Sequence, residues 1–222
     1  MGRTKNIDKK NKILITAFHL FLKNGYNNTS YQAIADEIGF QKNLIQYYFS
    51  KKELLVTEFF EKYSMHTIKY LEQQSQLTNN EYINLYIIGQ IHFSFLTIIN
   101  KKSSFAIDIV SNRLITLEII NFHENWGLNY QKIEDEKLRS RLSDSIVMFL
   151  GGVYELIYRN LIQERKLDIP QLLETALLGY LNSINSKNAL ININLKDYAY
   201  TSQEIELANQ SIIRALERDL SK

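Results

Sequence analysis

The N-terminal quarter of the chain carries three runs of apolar residues at helical spacing, separated by two glycines. The first run, 8–24, ends at Gly25, and glycine fits the left-handed position that follows a last helical turn. Two short runs follow, 31–38 and 42–48, with Gly39 between them. Two short helices joined by a tight glycine turn behind a longer packing helix predict a helix-turn-helix unit.

Residues with capping side chains precede two of the predicted helices. Thr29 begins a capping-box pattern before the second helix, although Ser30 could equally be the cap. A Ser50-x-x-Glu53 box predicts the start of a longer fourth helix over 51–76. These side chains accept hydrogen bonds from the first free N–H groups of a helix, so they indicate where helices begin.

The rest of the chain also favours helices. Glycine occurs eight times and proline once in 222 residues, which is few for a β-rich fold. A period-2 pattern within 186–200 allows one short edge strand, and 127–136 is expected to be loop or frayed helix. Further helices are predicted over 81–99, over 104–125 with an interruption near Ser111-Asn112, over 137–165, over 171–185, and from a Thr201-x-x-Glu204 capping box to about 220.

Charge is distributed unevenly along the chain. Residues 1–52 hold nine Lys or Arg and three Asp or Glu, which gives +6 and leaves −4 for the remainder of a chain whose net charge is +2. A basic N-terminal segment on an acidic body suggests a polyanionic partner. A solvated N-terminal arm is the alternative that charge alone leaves open.

Several function classes lack support in the sequence. The chain has no cysteine, which excludes disulfides, thiolate metal sites and cysteine nucleophiles. Paired carboxylates in a recognisable frame, a phosphate-binding glycine loop and a Ser/His/Asp arrangement are missing, so we expect no enzyme, metal or cofactor. The sequence shows neither an apolar run of about 20 residues nor a signal peptide, so we expect a cytoplasmic protein without a membrane segment.

Residues 9–59 resemble the N-terminal domain of the TetR/AcrR family of bacterial repressors. The resemblance covers about a quarter of the chain and rests on about a dozen positions in order and spacing. These are a helix ending in Asn24-Gly25-Tyr26, then Thr29-Ser30, Ile34-Ala35, Gly39-Phe40, Ile45, Tyr47-Tyr48-Phe49, Lys52-Glu53 and Leu54-Leu55. The resemblance implies double-stranded DNA as a partner.

The third predicted helix has the chemistry to contact DNA, with very little acid nearby. Asn and Gln can form paired hydrogen bonds to adenine, and Lys can reach guanine or phosphate. Tyrosine hydroxyls commonly bind phosphate oxygens. By resemblance, the DNA-contacting positions are Gln41, Lys42, Asn43, Gln46, Tyr47, Tyr48 and Lys52, with Tyr31 and Lys9 or Lys12 as further phosphate candidates. The alternative is a merely solvated polar helix.

This helix departs from the family pattern at three positions. Asn43 stands where the family often has glycine, Leu44 where it often has threonine or a small residue, and Gln41 where serine is frequent. Because side chains on this helix select bases, these differences affect which operator sequence is bound. The departures leave the binding mode unchanged.

The resemblance also implies that the last two helices of the body, about 140–165 and 171–185, form a homodimer interface. We predict that they expose Tyr154, Tyr158, Leu161, Leu177, Leu178, Tyr180 and Leu181, although each could equally belong to the core. The middle helices combine aromatic residues with isolated polar groups, as a small-molecule site requires. The candidate ligand contacts are His92, Phe93, Phe105 and Trp126, with a plain aromatic core as the alternative.

The predicted architecture is all-α, with a three-helix head joined by a long helix to a ligand-binding and dimerisation body and an extra C-terminal helix. The predicted divisions are 1–52, 53–186 and 187–222. The predicted function is a repressor that binds a palindromic operator as a homodimer and responds to a small molecule. An architectural or cell-division DNA-binding protein with a protein partner is the alternative, which a body sealed without a cavity would favour. An enzyme is a weaker alternative.

Overall fold

The computed structural model describes residues 6–99, 104–130, 135–183 and 193–221. Within these ranges the chain forms α-helices, one π-helical turn over Phe95–Ile99 and one 3₁₀ turn over Leu195–Tyr198, without any strand. The helices are α1 (Ile7–Asn24), α2 (Tyr31–Ile38), α3 (Lys42–Tyr48), α4 (Glu53–Gln73), α5 (Glu81–Ser94), α6 (Phe105–Ser111), α7 (Arg113–Tyr130), α8 (Glu136–Ile162), α9 (Ile169–Ser183) and α10 (Ser202–Leu220). The predicted all-α fold is confirmed.

Local capping residues explain several of these boundaries. The Ser30 hydroxyl accepts a hydrogen bond from the Ala33 N–H at 3.1 Å and caps α2. Thr29 is buried instead, and its hydroxyl donates to the Gly25 carbonyl at 2.8 Å. The capping box predicted at Thr201 before α10 is confirmed, with both of its hydrogen bonds present.

Three local predictions were wrong. Helix α4 begins at Glu53 and has Lys52 as its N-cap residue without a side-chain cap, so Ser50 does not cap it. Helix α7 continues through Gly127 to Tyr130, whereas the sequence predicted a helix that ends near 125 and a loop or frayed helix after it. The alternating pattern after 190 gives no strand where it is described, because Leu195 begins a 3₁₀ turn; Ile191 and Asn192 lie outside the described residues.

The helix-turn-helix head, which we define as α1–α3, shares an aromatic core with the rest of the chain. The ring of Phe18 on α1 stacks on Phe59 of α4 with 3.6 Å between ring centroids. Phe95 and Phe105 lie within about 6 Å of the same ring, at 6.0 and 6.3 Å between centroids. All four side chains are almost completely buried. Because α1 packs against α4 and α6 through these rings, movement of either helix changes the support of the head.

A polar contact also joins the head to α6. The buried carboxylate of Asp108 accepts hydrogen bonds from the Asn27 backbone N–H at 3.1 Å and from its side-chain amide at 2.8 Å. Ser104 donates to the same carboxylate at 3.0 Å. Gly25 permits this approach, because a Cβ there would lie 2.1 Å from the Ser104 hydroxyl. Its φ of 87° and ψ of 155° also belong to a region that is essentially restricted to glycine.

Helix α10 packs against α1, α4 and α5 and contacts both the head and the body. The His19 side chain on α1 lies 2.6 Å from the Glu217 carboxylate, and His66 on α4 lies 3.1 Å from Asp219. The buried Tyr63 hydroxyl also bonds Asn209 of α10. The division of the chain into 1–52, 53–186 and 187–222 stays a prediction, but α10 is packed onto the fold rather than detached from it.

Helix α8 has a partly unburied apolar surface. Among the described residues it is the single helix long and apolar enough to cross a membrane by those two criteria, and only 28% of its most apolar window is buried. Met148, Leu156 and Ile162 are exposed large apolar side chains along it. The surface therefore presents apolar groups that the described fold does not cover.

Candidate nucleic-acid interface and effector cavity

Helix α3 presents a polar outer face and an apolar inner face. Gly39 ends α2 in the left-handed conformation, with φ of 69° and ψ of 31°, and so redirects the chain into α3. Ile45, on the inner face of α3, is fully buried, and Leu44 is partly buried against the same core. The outer residues are all exposed: Gln41, Lys42, Asn43, Gln46 and Tyr47. Five of the predicted DNA-contacting residues therefore share one accessible surface.

Two predicted tyrosine contacts have their hydroxyls engaged within the head. The Tyr31 hydroxyl donates to the Phe49 carbonyl at 2.8 Å, and this uses its one proton. Tyr31 thus holds α2 against the end of α3, and its phosphate contact stays a prediction. The ring of Tyr48 is buried, and its hydroxyl accepts a hydrogen bond from the Asn6 N–H at 3.1 Å. Tyr48 thus holds the start of α1, and its DNA contact stays a prediction.

Lys52 is directed into the head. Its ammonium donates to the carbonyls of Tyr26 at 2.9 Å and Thr29 at 3.1 Å, and lies 4.0 Å from the centroid of the Tyr26 ring. Burial lowers the pKa of Lys52, and the nearby carboxylates of Glu53 and Asp108 oppose that shift. The phosphate contact of Lys52 stays a prediction, and the structure gives it a second role in closing the α1–α2 connection onto α4.

The exposed side chains of α3 supply amide donors and acceptors, one ammonium and one phenol on a helix narrow enough for a major groove. Residues 13–59, which run from α1 to the middle of α4, match the model of a family described as bacterial regulatory proteins, tetR family. The chain therefore carries the N-terminal DNA-binding domain found in TetR-type transcriptional regulators. A comparison with curated proteins gives no match. The TetR match identifies the head as a DNA-binding domain.

The body of the protein contains a cavity of about 230 Å³ bounded by α4, α5, α7, α8 and α9. Most of its lining is apolar. Its lining residues are Ile68, Glu72, Leu77, Glu81, Asn84, Leu85, Ile88, His123, Trp126, Gly127, Ile146, Phe149, Leu150, Leu177 and Tyr180. Helix α4 lines the cavity and is also the next helix after the head in the chain. A molecule bound in the cavity would therefore contact the helix that connects the head to the body.

Of the four predicted ligand contacts, Trp126 lines this cavity and the other three do not. Phe105 belongs to the aromatic core around Phe18, with the two ring centroids 6.3 Å apart. His92 and Phe93 are buried, and the His92 ring lies behind His123 at 5.2 Å between centroids. The aromatic pattern of the middle helices therefore did not distinguish residues that line the cavity from residues of the core.

Two adjacent imidazoles lie at the cavity: His92 is buried, and His123 is half-buried and lines it. Nδ1 of His123 donates to the Ile119 carbonyl at 2.8 Å, because a carbonyl can only accept. Nε2 of His92 lies 3.4 Å from the Tyr154 hydroxyl. Burial lowers the pKa of His123, and burial together with neighbouring His123 lowers that of His92 to about 3. Both rings are therefore neutral near pH 7.

This burial predicts that stability falls with acidification. Since His92 titrates near 6.5 in the unfolded chain and near 3 in the folded one, the unfolded chain binds more protons between these values. His92 should therefore remove about 2 kcal/mol of unfolding free energy between pH 8 and pH 5. The His92→Gln variant should lose less stability over this range than the wild type, as measured by urea denaturation. An unchanged difference between the two pH values would show that His92 titrates normally.

The structure corrects four of the seven side chains predicted to be exposed for dimerisation. Tyr154, Leu177, Tyr180 and Leu181 are buried, and two of them, Leu177 and Tyr180, line the cavity. Tyr158 and Leu161 are half-buried, and Leu178 is exposed. Apolar periodicity located the two helices, but it did not distinguish the face that covers the core from the face that remains outside.

Sequence reasoning missed the Asp108 contact and most of the cavity lining. A single acid within the apolar run of α6 is a signal for a buried, hydrogen-bonded carboxylate. The apolar character of α5 on all sides similarly indicates that more than one of its faces is covered. Leu85 and Ile88, which line the cavity, belong to that helix.

Proposed function

We propose that this regulator is a ligand-responsive repressor that binds a palindromic operator as a homodimer and responds to a small molecule in its body. The observation that carries the DNA-binding part is the outer face of α3, where five polar side chains are exposed together. In helix-turn-helix proteins the second helix of the motif enters the major groove. Gln46 and Asn43 are the candidates for base contacts and Lys42 for guanine or phosphate.

The proposed dimer uses the outer faces of α8 and α9. Met148 is 63% exposed, Leu178 48% and Leu156 43%. Gly152 and Gly179 line the groove between the two helices, and a Cβ at either position would meet nothing within 4 Å. An apolar face with small residues permits close packing of a second copy. Two heads related by a two-fold axis match a palindromic operator.

The proposed response runs from the cavity to the head through α4 and α6. Helix α4 lines the cavity and stacks Phe59 on Phe18 of α1, while Asp108 of α6 holds Asn27 of the head. A ligand that favours one arrangement of these helices changes the spacing of the two heads. The coupling needed is about 1–3 kcal/mol, which is typical of allosteric proteins.

The presence of a cavity favours an effector over the architectural alternative. A body that served only as a scaffold for a protein partner would need no internal space beside α4. The described body instead holds about 230 Å³ lined mainly by apolar side chains, as small-molecule sites are. Electrophoretic mobility shifts with the protein's own promoter test the DNA-binding proposal. A folded dimer that gives no sequence-specific shift at moderate salt contradicts it.

Two substitutions on α3 should have different effects on DNA binding. Lys42→Ala should weaken binding to all sequences and reduce the salt slope by about 1, because one phosphate contact is lost. Gln46→Ala should instead relax the preference at one base position by about 1–3 kcal/mol. Gln210→Ala, at an exposed position on α10, is the matched control and should bind as the wild type does. Binding to a library of operator variants at several salt concentrations measures both effects.

A further inference from the structure

The charged side chains that line the cavity beside α4 are all acidic. Glu72, in the last turn of α4, and Glu81, in the first turn of α5, are exposed residues that line it, whereas the described lining contains neither lysine nor arginine. Within the described ranges, the salt bridges involve neither carboxylate. The lining imidazole of His123 is neutral, because burial lowers its pKa. The wall therefore attracts cations and repels anions.

Aromatic side chains line the same cavity. Trp126 of α7, Phe149 of α8 and Tyr180 of α9 contribute rings from three different helices. Aromatic rings attract cations through their quadrupoles and also cover the apolar part of an organic ligand. Carboxylates at the ends of α4 and α5 together with these rings form a site for a molecule that has both an apolar body and a positive charge.

The volume restricts the size of that molecule. About 230 Å³ exceeds the roughly 150 Å³ of a cavity that holds benzene, and falls below the roughly 300 Å³ at which drug-sized sites begin. A single ring with a compact charged group is the size that fits. We propose that the effector of this regulator is a small lipophilic cation, such as an aromatic amine or quaternary ammonium compound. This assignment rests on the proposed effector response of the body.

The test uses an isosteric pair of probes. Phenyltrimethylammonium carries a positive charge, and tert-butylbenzene has the same shape without one. Trp126 is the one tryptophan in the chain and lines the cavity, so its fluorescence reports on occupancy of this site. We expect phenyltrimethylammonium to bind the full-length protein at least tenfold more tightly than tert-butylbenzene, and benzoate to give no change.

Paired variants separate the local carboxylates from net charge. In Glu72→Gln/Glu81→Gln, affinity for phenyltrimethylammonium should fall at least tenfold, while affinity for tert-butylbenzene stays within twofold and so reports an intact cavity. Glu118→Gln/Glu206→Gln removes two exposed carboxylates that do not line the cavity and should leave both affinities unchanged. Equal binding of the two probes by the wild type, or equal effects of the two double variants, would overturn the cation assignment.

Promoter binding, measured on the same samples, distinguishes this inference from the proposed function. If phenyltrimethylammonium quenches Trp126 selectively but the protein does not bind its promoter, the cation site stands and the repressor proposal fails. If the protein binds its promoter and neither probe changes Trp126 fluorescence at millimolar concentration, the cation site is wrong and DNA binding stands.

Discussion

The Lys52→Met variant should lose about 2–4 kcal/mol of unfolding free energy. Its ammonium donates to two carbonyls, those of Tyr26 and Thr29, and also lies over the Tyr26 ring. Hydrogen bonds that involve a charged group contribute about 1.5–3 kcal/mol each, and a cation–π contact at a partly exposed site about 0.5–1 kcal/mol. Partial exposure of Lys52 reduces their sum. Methionine keeps most of the aliphatic volume but leaves both carbonyls without this donor.

Lys42→Met is the matched control for this substitution, because Lys42 is an exposed lysine on α3 of the same head. Urea denaturation followed by circular dichroism should show a change within about 0.5 kcal/mol for Lys42→Met. Its operator affinity should nevertheless fall. If Lys52→Met keeps wild-type stability while the salt slope of its operator binding falls by about 1, the ammonium binds DNA phosphate and the proposed clamp within the head is wrong.

Met148→Glu combined with Leu178→Glu should convert the proposed dimer to monomer. Both side chains are exposed on the α8–α9 face, and in a two-fold interface each substitution occurs twice. Four carboxylates would then meet in an apolar contact, where an unpaired charge is strongly unfavourable. We expect the dimer dissociation constant to rise by about three orders of magnitude, which corresponds to about 4 kcal/mol. Operator affinity should fall with it, because a single head covers only a half-site.

Sedimentation velocity across a concentration series measures this change. Leu207→Glu is the control, because Leu207 is 55% exposed on α10, away from the α8–α9 face. It should leave the association state unchanged. A double α8–α9 variant that sediments as the wild-type dimer would place the interface elsewhere, and loss of the dimer in Leu207→Glu would place it on α10.

Helix ends and the outer face of α3 could be predicted from sequence because each depends on neighbours within a few residues. Gly39 ends α2 in the left-handed conformation, and the Thr201 capping box opens α10. The exposed face of α3 follows from the position of buried Ile45 on a short helix. The TetR match covers residues 13–59, which include α2, α3 and most of α1.

The arrangement of the body could not be predicted in the same way. Apolar spacing shows that Tyr180 and Met148 lie on helices with apolar faces, but not that Tyr180 lines a cavity while Met148 remains exposed. The direction of Lys52 depends on carbonyls 23 and 26 residues away. The Asp108 contact depends on a turn 81 residues away. Such contacts between distant segments leave no periodic signal in a single sequence.

The packing of α10 on α1 has a consequence for synthesis of the protein. His19 and Glu217 are separated by 198 positions in the chain. At about 5–20 residues per second, on the order of 10–40 s pass between translation of the two. Helices α1–α3 therefore emerge from the ribosome well before α10 can pack against them. During that interval a nascent chain displays a head that lacks the support of α10, so the completed arrangement forms only after translation has passed residue 217.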